Sequence, residues 1–151
     1  MTCLDPELRG YLEGHPVVGS LDQAFLLLTV APSGAVDVCV LSRVEMRPTD
    51  TGVAVVVASR RARANLADRQ VATLVAVVGD AVHSLTCEVA EMVEGEGAAA
   101  IGLRVLAHRR DGLGIELHPI LFRVERRLQV EERWDRTARL LDRLQPATHP
   151  E

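Results

Sequence analysis

Val53-Ala-Val-Val-Val-Ala-Ser-Arg-Arg-Ala-Arg-Ala-Asn-Leu66 changes its period in the middle. Its first half, Val53 to Ala58, is apolar at every position and rich in β-branched residues, which predicts a strand covered on both faces. From Ser59 to Asp68 the pattern becomes helical, with Ala62 and Leu66 on one face at i, i+4. Ser59 stands where a helix cap belongs, and the backbone N–H groups after it carry the positive end of the helix dipole, a setting that suits anions. Arginines 60, 61, 63 and 69 against Asp68 give this segment a charge of +3, in a chain whose net charge is −4. Cations are unfavourable in a first helical turn unless an anion compensates them, and a phosphate group would do so. On charge alone, a solvated cap whose arginines reach water or distant glutamates is the stronger reading, because short motifs recur by chance.

The flanking sequence reads mostly as strands. Asp5 and Pro6 begin a short helix running to about Glu13, stopped by Gly14 and Pro16. Gln23 to Ala31 is the first strand, and Pro32-Ser33-Gly34 turns it into a second, Ala35 to Met46. Pro48 to Gly52 is another turn, leading into the third strand at Val53. Val71 to Val78 is the fourth strand, apolar throughout, and Gly79-Asp80 turns it into a half-exposed fifth from Ala81 to Val93. A helix is expected from about Ala98 to Arg109 with Ala98, Ile101, Val105 and His108 inward. A sixth strand is expected from Ile115 to Glu125, and an amphipathic helix from Glu131 to Leu144 that buries Trp134, Thr137, Ala138, Leu141 and Leu144 and ends at Pro146. Six strands joined by connections too short for crossover helices predict a mostly β domain with short helices, a small six-stranded barrel over residues 1–145 with a loose tail at 146–151. Two strands apolar on both faces exceed what one small barrel buries, so the spare face points to a two-fold homodimer.

Composition narrows the function classes. The 151 residues are 48% hydrophobic but only 3% aromatic, giving a core of Val, Leu and Ala large enough to fold without staples. All 17 basic residues are arginine. A net charge of −4 and few stacking aromatics argue against a nucleic-acid binder, including at Arg109-Arg110 and Arg126-Arg127. No apolar run reaches the ~18 residues of a membrane span, and the N-terminal residues lack the pattern of a signal peptide, so a cytoplasmic location is expected. Cys3, Cys39 and Cys87 form no CxxC, and the five histidines have no metal-ligand spacing, so buried thiols and no metal are expected. His83-Ser84 lacks an orienting carboxylate, and Gly95-Glu96-Gly97 lacks the strand and third glycine of a dinucleotide loop.

Beyond these residue-level readings, five stretches together resemble the FMN-binding split barrel of the pyridoxamine-5′-phosphate-oxidase-like superfamily. They are Phe25-Leu-Leu-Leu-Thr-Val, Pro32-Ser-Gly34, Val36 to Arg43, Val53 to Leu66 with its Ser-Arg-Arg…Asn-Leu, and Ala72-Thr-Leu-Val75. The resemblance is best over residues 20 to 93. It implies a split barrel of Greek-key-like topology, a homodimer, and FMN at the subunit interface. Ser59, Arg60 and Arg61 would hold the flavin phosphate, with Arg43 as a second basic partner. Backbone groups around Val40, Leu41 and Ser42 would face the isoalloxazine ring, and His83 could contact a flavin edge. The implied activity is an FMN-dependent oxidoreductase, with NADH or NADPH as a possible electron donor. The alternative is a non-catalytic split-barrel dimer that binds or senses flavin, haem or another ligand. The chain departs from the family where Val38 replaces an arginine, where a glycine is missing near Leu85 to Cys87, and where no C-terminal substrate-binding arginine and histidine are found. Pyridoxamine-phosphate oxidase activity itself is therefore not expected.

Overall fold

The computed structural model describes residues 4–144; Cys3, Pro146 and the tail fall outside them. Asp5 caps α1 (Pro6–Leu12) by accepting from the Glu7 amide at 2.8 Å, and Leu8 and Leu12 enter the core. The strands follow as β1 (Leu21–Gln23), β2 (Phe25–Val30), β3 (Val36–Leu41), β4 (Met46–Pro48), β5 (Gly52–Val57), β6 (Val71–Val78), β7 (Ala81–Glu94), β8 (Ala99–Gly112) and β9 (Leu121–Arg123). Between β5 and β6 lies α2 (Arg60–Arg69), and the described chain closes with α3 (Arg126–Glu131) and α4 (Trp134–Asp142).

Seven strands form one antiparallel sheet in the order β3-β2-β6-β7-β8-β5-β4, and β1 pairs with β9 in a separate ribbon. A single core cluster takes a residue from every strand of that sheet: Phe25, Leu41, Met46, Val55, Leu74, Leu85 and Ile101. A flat sheet could not bring both edges to one cluster, so this one curls into a half-barrel. Register shifts between β7 and β8 at Thr86/Cys87 and Val89/Glu91 add to the bend, as bulges do. The class read from the sequence, mostly β with short helices and a split-barrel curl, is the one observed.

Nine strands are described where six were expected; β1, β4 and β8 are additional, and β8 is the longest of the three. The helix expected over Ala98–Arg109 is a strand instead. Ala, Leu and Arg favour a helix locally, but Ile101, Leu103 and Val105 alternate inward while β7 and β5 pair with the backbone on both sides. The alternation is hidden near Ala98 and Ala100, which are also buried because α4 covers that face. The strand expected over Ile115–Glu125 shrinks to β9; Ile115 and Ile120 stay exposed, and the segment before β9 follows the Gly79–Asp80 turn through the Leu113 and Leu117 amides.

Two further boundaries move. The strand expected over Ala35–Met46 stops at Leu41, where Ser42 and Glu45 form a reciprocal capping box around a 3-10 turn at Arg43–Glu45. The helix expected over Glu131–Leu144 begins later, as α4 at Trp134, after Arg133 turns the chain with φ of +51°; α3 before it, at Arg126–Glu131, was not expected. On α4 the buried residues are Thr137, Leu140 and Leu141, while Ala138, Leu144 and Trp134 remain partly exposed.

The fully apolar β5 is covered on both faces, but within the chain. Val53, Val55 and Val57 face the barrel core, while Ala54 and Val56 pack with Leu140 and Leu141 of α4. The uncovered apolar surface lies elsewhere: Val36, Val38 and Val40 of edge strand β3 are each more than half exposed. They stand directly opposite Val30, Leu28 and Leu26, which are only half-buried.

Candidate functional site

The change of period at Ser59 becomes a sharp strand-to-helix junction. Ser59 Oγ accepts from the Ala62 amide at 3.2 Å, and the Arg63 amide donates to the Ser59 carbonyl at 3.0 Å. The Arg60 and Arg61 amides precede the first intrahelical bond and are left open at the positive end of a ten-residue helix.

Packing fixes this helix start over the end of the half-barrel. Asn65, on the buried face of α2, donates to Thr29 Oγ1 at 3.0 Å and to Asp37 Oδ2 at 2.8 Å. Asn65 and Thr29 are both buried, so each polar atom needs the partner it has. Asp37 Oδ1 in turn lies 3.5 Å from the Arg61 guanidinium. Asp37, Val38, Ser59, Arg61 and Ala62 line a shallow cleft of about 280 Å³. Arg63 leans back toward β5 and β7, donating to the Ala58 carbonyl at 3.3 Å and lying 3.8 Å from Glu94. Arg60 is exposed and has no ion-pair or side-chain hydrogen-bond partner among the described residues.

Of the expected residues Ser59 and Arg61 line this cleft, Arg60 lies between them in the chain but is not part of the lining, and Asp37 joins them although the sequence did not single it out. Arg43 is not part of this cleft. Its guanidinium is 3.0 Å from Asp22 and donates to the Glu13 carbonyl at 3.2 Å, because the buried Asp22 carboxylate needs a cation beside it. Val40 and Leu41 lie on β3, whose outer edge has no neighbouring strand among the described residues. The Val40 side chain is exposed and that of Leu41 is in the core. Ser42 is committed elsewhere: its amide and its Oγ both donate to Glu45 Oε1, at 3.2 and 3.1 Å.

Outside the cleft, His83 and His108 meet although the sequence did not place them together. His83 is fully buried, and its Nδ1 lies 2.8 Å from Nε2 of His108. Sequence reasoning missed this pair because His108 was placed on a helix. Glu45, half-buried in the turn against which α4 packs, has its pKa pushed up to about 7, chiefly by burial and further by the Glu132 carboxylate, against the opposing Ser42 hydrogen bonds. Burial also pushes the Cys39 thiol to about 11, with Glu45 adding to the effect, and Cys87 to about 12, so neither is a ready nucleophile. No three His, Cys, Asp or Glu side chains among the described residues are placed to hold a metal, and no described helix is long and apolar enough to cross a membrane.

No family model matches the chain, and no curated protein does. Among solved structures, one titled F420 reductase superposes with a TM-score of 0.49 at 13% identity, over 64% of this chain and 97% of that one. At that level no residue role carries over from it.

Proposed function

We propose that the protein binds FMN through the Ser59–Arg60–Arg61 helix start and serves as an FMN-dependent oxidoreductase. The observation that carries the reading is the pair of amides at Arg60 and Arg61 at the positive end of α2, next to an Arg60 side chain that has no partner among the described residues. Such a site fits a phosphate: two N–H donors at the positive end of the helix suit an anion, and the Arg61 side chain lines the cleft beside them. When bound, the flavin supplies the hydride or electron transfer itself. The chain's own residues would hold and orient it.

A cleft of about 280 Å³ lies just under the roughly 300–1,000 Å³ of ordinary ligand pockets, enough for the phosphate end alone. Val38 belongs both to this cleft and to the uncovered apolar row of β3. A second copy of the chain seated on that row would bury the row and complete the wall over the ring, so we propose a homodimer with the flavin between subunits. Asp37 favours a second reading, in which the junction is a structural anchor of a non-catalytic split barrel that takes another ligand, because its carboxylate already occupies Arg61.

Parallel titrations with FMN and riboflavin separate these readings. Replacing Arg60 and Arg61 together by alanine should weaken FMN by roughly 10- to 100-fold, given about 1.5–3 kcal/mol for a hydrogen bond to a charged group. Riboflavin affinity should change little. Equal losses for both ligands would remove the phosphate clamp from the account.

A further inference from the structure

His83 on β7 and His108 on β8 are diagonal neighbours on the inner face of the half-barrel, since His83 stands opposite Arg110 and Leu85 opposite His108. Their rings stack with centroids 5.0 Å apart at 30°, and a 2.8 Å Nδ1···Nε2 contact joins them. A contact of that length between two ring nitrogens requires one proton between them. His83 is fully buried and its other nitrogen, Nε2, has no partner, whereas His108 is only half-buried.

These facts select a tautomer. If His83 carries its proton on Nδ1, it donates to His108, and the orphaned Nε2 is a bare acceptor. If it carries the proton on Nε2, a buried N–H is left without an acceptor, which is the rarer and costlier outcome. His83 therefore holds its proton on Nδ1, and His108 holds its own on Nδ1.

The arrangement has no room for a second shared proton. A proton arriving at His108 Nε2 must either break the bond or drive the His83 proton onto the buried, unpartnered Nε2. Charged groups approach His83 from two elements: His108 and Arg110 from β8, and Asp5 and Glu7 from the cap and first turn of α1. Opposite it on β6 stands Ala76, which carries no charge. Arg110 also ties the elements together, 4.0 Å from Glu7 and 3.5 Å from Asp80. Burial and the neighbouring His108 and Arg110 hold His83 neutral, outweighing Asp5 and Glu7, so its pKa lies below the ordinary histidine value.

We propose that the His83–His108 pair is a proton-sensitive latch beneath α1, closed while the pair is neutral and opened by the uptake of one proton. The unfolded chain binds that proton more readily than the folded one. Stability attributable to the pair is then complete above the unfolded histidine value of roughly 6.5 and falls as the pH drops below it.

Glu45 titrates in an overlapping range with the opposite sign, so the test uses the full chain carrying Glu45→Gln. Thermal unfolding should show Tm falling by roughly 3–5 °C per pH unit below about pH 6.5, the slope of one extra proton bound on unfolding in a chain of this size. Adding His83→Phe should flatten that slope, and an unchanged slope would overturn the latch. Should the double variant fail to fold, ring ¹⁵N spectra and amide exchange of the single Glu45→Gln chain decide. The expected result is His83 protonated on Nδ1 at pH 7.5, with α1 amides losing protection as the pair titrates. A His83 ring already charged at pH 7.5, or α1 amides equally protected at pH 7.5 and 5, would overturn it.

Discussion

Glutamine in place of Glu45 should stabilise the protein at pH 8 and do little at pH 4.5. The carboxyl is displaced from an ordinary 4.5 to about 7, mainly by burial, with Glu132 adding to it. A group that binds its proton more tightly folded than unfolded favours folding in acid. Its contribution is complete below about 4.5 and is lost as the pH rises through about 7. At about 1.36 kcal/mol per pH unit, the displacement is worth ~3 kcal/mol once Glu45 is ionised. Glutamine removes that charge yet keeps an oxygen for the Ser42 amide and hydroxyl, which now donate to Glu45 Oε1. A neutral acceptor is weaker than a carboxylate by about 1 kcal/mol, so the net gain at pH 8 should be roughly 1–3 kcal/mol, or about 2–10 °C in Tm. Urea unfolding of both proteins from pH 4.5 to 8.5 is the assay. Curves that separate as the pH rises support the reasoning. A constant offset at every pH, or a loss of stability at pH 8, would refute it.

The remaining expectations concern the scaffold and the interface. Asn65→Ala strips the partner from Thr29 Oγ1 and Asp37 Oδ2 and should cost roughly 2–4 kcal/mol in urea unfolding; a loss under about 0.5 kcal/mol would mean the network does not anchor α2. Gly52→Ala would drive a methyl group into the Leu103 carbonyl of β8 and should cost more than about 3 kcal/mol or abolish folding, whereas near-wild-type stability would contradict the β5–β8 approach. Val38→Asp places a charge in the exposed β3 row and should turn a dimer into a monomer by light scattering; a monomeric unmutated chain would refute the dimer, and a dimer unaffected by the charge would move the interface elsewhere.

How far the sequence reached depends on whether a signal was local. β6 runs from Val71 to Val78 as read, because Gln70 in a left-handed conformation and the Gly79 turn bound it sharply. The junction at Ser59 was legible because the period changes there and the cap residue is itself the signal. β8 was not, because Ala98 to Ala100 are buried on both faces and leave no alternation to read where the strand begins. With β8 misread, the His83–His108 pair could not be seen. The Ser42…Glu45 box was in the sequence all along, an S-x-x-E signature overridden by the apolar run before it. The Thr29–Asn65–Asp37 network had no local signal; its members lie 36 and 28 residues from Asn65, and only the β2–β3 register under α2 joins them.

The central claim is that the helix start at Ser59 holds the phosphate of FMN, and the most direct measurement is the visible spectrum of the chain after incubation with excess FMN and gel filtration. The account expects a yellow protein carrying one flavin per chain, with the bound flavin displaced by competing phosphate-bearing flavins and not by riboflavin at equal concentration. A colourless protein, with all the FMN recovered in the small-molecule fraction, would contradict it.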